Sequence, residues 1–154
     1  MAERDTAGVI APPPLIYLGA LAIGFVLAIV FGFTKVPAAV SWPVGGVLVI
    51  AGAALLTSFV AAFRRASTAV DPYRPSTAIV TSGPYRLTRN PGYLGMALVY
   101  SGIAVLSGAL WAFVPLMAAL LVIDRGVIVR EERYLERKFG AAYADYRART
   151  RRWL

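Results

Sequence analysis

Two short polar clusters flank a long uncharged stretch, and they hold the residues best suited to chemistry. The first is Gly83-Pro84-Tyr85-Arg86-Leu87-Thr88-Arg89-Asn90-Pro91-Gly92-Tyr93-Leu94-Gly95, and the second is Arg130-Glu131-Glu132-Arg133-Tyr134-Leu135. Between them, Asn90 to Ile123 carries no charge. The chain has no cysteine and no histidine, which removes thiol nucleophiles, imidazole bases and every common zinc site. No metal site is expected. Chemistry must rest on Arg, Lys, Glu, Asp, Tyr, Asn, hydroxyls and backbone groups.

In the first cluster, Pro72, Pro75, Pro84 and Pro91 keep the stretch Asp71–Pro91 out of continuous helix. The residues Thr77, Ala78, Ile79 and Val80 read as a short extended piece, its backbone free for a ligand. Asn90 stands at a capping position and Pro91 at the first helical position. A helix start offers unpaired N–H groups and partial positive charge, a seat for carboxylate or phosphate that Arg89 reinforces. Gly92 and Gly95 permit close approach of a ligand or another helix. An ordinary loop with arginines on lipid phosphates has the same composition.

In the second cluster, Glu131 and Glu132 are adjacent carboxylates beside a membrane face, costly unless paired, solvated or bound to a cation. Neighbours on a helix point about 100° apart, so one of the two faces a pocket squarely. Leu135 and Phe139 follow Glu131 at four-residue steps, which favours Glu131. A solvated face laced by Arg130, Arg133, Glu136 and Arg137 is the plainer account, at a few tenths of a kcal/mol per pair. Asp124-Arg125 reads as a neutralising pair.

These clusters need elements to bring them together. Of the 154 residues, 58% are hydrophobic, and charge is absent from Pro12 to Thr34 and from Val36 to Phe63 as well. About 20 apolar residues cross a hydrocarbon layer of about 30 Å. The pattern predicts an all-α integral membrane protein with four spans, at about 15–33, 43–63, 92–106 and 110–129. The third and fourth form a hairpin turning at Ser107-Gly108. A loop over 64–91 and an amphipathic C-terminal helix over 130–149, bendable at Gly140, complete a single domain over 1–154. Four spans set loop and tail on one side. Their excess of arginine over the single Lys35 opposite places that side, with both termini, in the cytoplasm. Arg147, Arg149, Arg151, Arg152 and Trp153 suit the headgroup region, and the net charge of +8 points to anionic lipid rather than nucleic acid. The N-terminus lacks the features of a cleaved signal peptide.

The two clusters together resemble the isoprenylcysteine carboxyl methyltransferase and phospholipid methyltransferase superfamily. Members carry G-x-Y-x-x-x-R-H-P-x-Y-x-G, a helical hairpin, then E-E-x-x-L-x-x-x-F-G-x-x-Y-x-x-Y. Here these read Gly83-x-Tyr85-x-x-x-Arg89-Asn90-Pro91-x-Tyr93-x-Gly95 and Glu131-Glu132-x-x-Leu135-x-x-x-Phe139-Gly140-x-x-Tyr143-x-x-Tyr146. The resemblance spans Pro75 to Tyr146. It implies S-adenosylmethionine in a cytoplasmic pocket and methyl transfer to an amphiphilic or lipidic acceptor at the inner membrane of a bacterium. By position its cofactor contacts fall on Thr77, Ala78, Ile79, Val80, Tyr85, Asn90, Pro91, Gly92, Tyr93, Glu131 and Glu132, with Glu131 and Arg89 at the chemistry. Asn90 and Thr77 stand where members have histidine. Val127 stands where carboxyl methyltransferases place a substrate-contacting arginine, leaving Arg125 and Arg130 as substitutes. An NADPH-dependent reductase of the steroid-reductase type and a non-enzymatic membrane adaptor are the competing classes.

Overall fold

The computed structural model describes residues 6–70 and 73–154. Asp71 and Pro72, which begin the proline-bearing stretch named above, lie outside the described residues. Helix α1 spans Pro13–Phe31, α2 Ala38–Arg65, α3 Pro91–Ser107, α4 Phe113–Val122, α5 Val129–Phe139 and α6 Ala141–Arg149. There is no β-strand among the described residues.

Prolines set the starts. Pro13 and Pro14 open α1 where no backbone donor is needed, two residues before the expected start. Helix α2 begins at Ala38, its first turn closing on the Pro37 carbonyl, and Pro43 sits inside it instead of marking its start. So early in a helix a proline deletes one hydrogen bond without ending the run. Gly108, at a φ of 70°, closes α3 and makes the expected tight turn. Thr34 then donates its amide to the Gly108 carbonyl at 2.8 Å, tying the α1–α2 turn to the α3–α4 turn.

Beyond Gly108 the helix is not uniform. A 3-10 turn over Leu110–Ala112 precedes α4, and a π turn over Ile123–Ile128 joins α4 to α5 in one helical rod from Leu110 to Phe139. The single amphipathic helix expected over 130–149 is two helices. Gly140, at a φ of 54°, breaks it where a side chain would be strained.

Packing follows the small residues. On α2, Gly45 and Gly52 lie against Gly102 and Gly95 of α3, in antiparallel register with seven-residue steps on both helices. A Cβ on Gly52 would fall 2.7 Å from the Gly95 carbonyl oxygen, and one on Gly102 at 2.7 Å from that of Gly45. Backbones thus touch where side chains would hold them apart. The buried core lies between α1, α3, α4 and the π turn, with Tyr17, Tyr100, Leu116, Ile123, Val127 and Ile128 among its members. Buried hydroxyls there are satisfied: Tyr100 donates to the Ala112 carbonyl at 2.7 Å and Tyr17 to that of Tyr93 at 3.0 Å.

The outward faces are apolar and exposed, as at Ile29, Val47, Ile50, Met117 and Leu121. The helices Pro13–Phe31, Ala38–Arg65 and Leu110–Phe139 are long and apolar enough to cross a bilayer, and Pro91–Ser107 is a shorter apolar helix. The protein is an all-α integral membrane protein.

Candidate active site

The loop after α2 folds back under the helix ends. Thr77 donates its amide to the Thr68 hydroxyl at 3.0 Å and its hydroxyl to the Ser67 carbonyl at 3.3 Å. Thr77 is therefore a loop-closing residue on the exposed side and does not reach the cavity. Ala78, Ile79 and Val80 do line it, and their amides make no hydrogen bond to described residues. The expected extended piece forms no strand, which leaves those groups unpaired.

Gly83–Arg86 forms a 3-10 turn that turns Tyr85 toward α2. Its ring packs against Phe59 and Phe63, with centroids 6.3 and 5.8 Å away, and Tyr146 of α6 donates to its carbonyl at 2.8 Å. Burial, with the Glu131 charge adding to it, holds the Tyr85 phenol well above its usual range. It is a neutral donor at any working pH.

Asn90 occupies the residue before α3 but does not cap it. Its amide Nδ2 donates 2.9 Å to the carbonyl of Arg152, in the C-terminal tail, and no side chain caps the helix. The first turn of α3 therefore keeps open donors, since the amides of Gly92 and Tyr93 have no partner among the described residues. Pro91 is fully buried and packs the helix start without reaching the cavity.

The carboxylates divide their work. Glu131 accepts a 2.7 Å hydrogen bond from the Tyr93 hydroxyl on Oε1, while Oε2 has no partner among the described residues. Glu131 lies past the last apolar residue of the fourth span. Burial pushes its carboxyl up to about 7; the Tyr93 bond opposes that and the neighbouring Glu132 charge adds to it. Glu132 is held by two arginines. Arg89 Nη2 meets Oε1 at 2.8 Å, and Arg152 meets Oε1 through Nε at 3.2 Å and Oε2 through Nη2 at 2.6 Å. Both glutamates border the cavity, but only Glu131 presents a free oxygen.

Arg89 lines the cavity while its guanidinium is largely taken up by bonds to the tail and to Glu132. Its Nη1 donates to the Arg147 and Thr150 carbonyls, both at 2.9 Å, and its side chain is 11% exposed. Nε alone among the buried polar side-chain atoms described lacks a partner. Arg152 and Trp153 depart from the expected headgroup placement: Arg152 also reaches Asp124 at 3.4 Å, and the Trp153 indole donates to Asp124 at 3.2 Å.

Arg125 and Arg130 do not join this site. They line a separate groove with Arg133 and Arg137. Arg125 pairs with Asp124 at 3.4 Å, as the neutralising reading had it, and is 80% exposed on its side chain. Arg130 donates to the Gly8 carbonyl at 3.0 Å. Val127 is fully buried in the core. Residues that sequence reasoning passed over also form the wall, notably Phe59, Phe63 and Tyr134. The spacing of Phe59 and Phe63, one turn apart at the charged end of α2, was the available signal.

A family model for phospholipid methyltransferases matches residues 40–142, a stretch that runs from the start of α2 to that of α6. The chain belongs to the phospholipid methyltransferase family. An uncharacterized protein of Haemophilus influenzae is 39% identical over 62 residues, covering 40% of this chain and 98% of that protein. No solved structure matches the chain.

Proposed function

We propose that this protein is an S-adenosylmethionine-dependent methyltransferase acting on an amphiphilic, lipidic acceptor at the cytoplasmic face of the membrane. The observation that carries the reading is the half-buried Glu131, anchored on one oxygen by Tyr93 and free on the other, beside the open first turn of α3.

These groups fit the ligand. Glu131 offers negative charge to a sulfonium, and the unpaired amides of Gly92 and Tyr93 offer donors to a carboxylate. The free backbone of Ala78, Ile79 and Val80 suits the edge of a base, and Phe59, Phe63 and Tyr85 make an aromatic wall that excludes water. The bound cofactor supplies an electrophilic methyl group. What the chain contributes is alignment, because an in-line displacement is accelerated chiefly by holding the partners in register. Tyr93 fixes the Glu131 carboxylate, and the Arg89–Glu132 pair, 2.8 Å apart, fixes the loop to α5. The excess of arginine on the loop and tail favours the cytoplasmic side.

Calorimetric titration of the purified protein with S-adenosylmethionine tests this. Wild type should bind, and Glu131→Gln and Tyr93→Ala should each weaken binding about tenfold or more, the loss of one charge-assisted contact. No binding by folded wild type at millimolar cofactor would sink the reading.

A further inference from the structure

Arg151, Arg152 and Trp153 lie beyond the stretch matched by the family, yet they touch the site from two directions. The Arg152 carbonyl accepts from the Thr88 hydroxyl at 3.0 Å and from Asn90 Nδ2 at 2.9 Å, and the Arg151 carbonyl accepts from the Arg89 amide at 2.9 Å. The main chain of the tail is thus stitched to three consecutive residues at the start of α3. The Arg152 side chain reaches the other way, with Nε and Nη2 on Glu132 and Nη1 on Asp124. Trp153 holds Asp124 as well, at 3.2 Å. One residue therefore joins the loop, by its carbonyl, to α5 and the π turn, by its guanidinium.

We propose that Arg152 is a positioning residue: it occupies both oxygens of Glu132 and seats the first turn of α3, leaving Oε2 of Glu131 as the free carboxylate oxygen at the cavity among the described residues. The chemistry favours Arg over any substitute. A planar fork can take both carboxylate oxygens while a third nitrogen reaches Asp124, whereas an ammonium makes a point contact. Asn90 fits the same scheme. Where a capping side chain would have closed the helix start, this one bonds to the tail and leaves the Gly92 and Tyr93 donors open.

The cofactor arm of the test rests on the reading given under Proposed function; the exchange arm, given first, does not. In full-length protein in lipid nanodiscs, hydrogen exchange at the amides of Thr88, Arg89 and Asn90 should quicken at least tenfold in Arg152→Gln, with the glycine-packed middle of α3 unchanged. Arg152→Lys should fall between, and Trp153→Phe should show a smaller effect. The second arm is S-adenosylmethionine affinity against pH. The ionisable groups around Glu131 are Tyr93 from α3, Tyr85 from the loop, Tyr143 from α6 and Glu132 on its own helix. Freed from Arg152, Glu132 opposes ionisation of Glu131 more strongly. The midpoint should move to higher pH in Arg152→Gln and return toward wild type in Arg152→Lys, which a purely structural role would not produce. If wild type binds no cofactor while the exchange arm behaves as expected, the methyltransferase reading fails and the seating role stands. Unchanged exchange in all three variants, or an unmoved midpoint in variants that bind, overturns the proposal. Should Arg152→Gln not fold, the Lys and Trp153→Phe variants carry the same two readouts.

Discussion

At the scale of single residues, the site turns on one carboxyl that titrates near neutrality. A cationic ligand beside Glu131 favours its ionised form, so S-adenosylmethionine affinity should climb as pH rises through about 7 and level off above it. Tyr93→Phe removes the hydrogen bond that stabilises the carboxylate, so its profile should shift to higher pH, and Glu131→Gln should flatten it. Binding isotherms from pH 5.5 to 9 would show this; a wild-type profile without slope would contradict it. The same proton affects folding. It is held more tightly in the folded protein, at about 7, than at the ordinary 4.5, so this residue's contribution to stability is full below 4.5 and is lost as pH rises toward 7. The four-residue step from Glu131 to Leu135 set both on one helix face in the sequence, and both line the cavity, although Glu132 borders it too and Phe139 does not. The grip of Arg152 on Glu132 was not legible there, since contacts across 20 residues leave no periodic trace.

At the scale of elements, the glycine pairs of α2 and α3 set how closely the loop ends can meet. Gly52→Val should lower stability by about 2 kcal/mol, within the range for overpacked interiors, because the Gly95 backbone cannot move aside. Gly46, six residues earlier on the same helix and facing open space, is the control: Gly46→Ala should leave the melting temperature unchanged or slightly raised. Thermal unfolding in detergent separates the two; equal effects would refute the packing argument. Helix existence was readable from uncharged runs, and Gly108 and Gly140 announced their breaks. The π turn was not, because Ile123-Asp124-Arg125-Gly126-Val127-Ile128 carries no proline or other local signal. It arises where Gly126 lets Ile10 pack against the rod, a tertiary contact.

At the scale of the whole molecule, the cysteine-free chain suits a topology test. Single cysteines at Ser82 and Thr34, both exposed, should label from opposite sides of sealed cells, Thr34→Cys from outside and Ser82→Cys after permeabilisation. The reverse pattern would overturn the proposed orientation. Labelling of both from one side would refute the four-span arrangement. The glycine seam has a mechanical corollary. Two helices whose backbones already touch have no side-chain layer to slide or compress, so α2 and α3 behave as one fixed post. On the proposed function, an acceptor arriving from the bilayer would be admitted by motion on the other side of the cavity, where α5, α6 and the tail are joined through polar bonds that can open singly. On that function the glycine seam would serve as the post, and the bonds of Arg151, Arg152 and Trp153 as the catch on the side that moves.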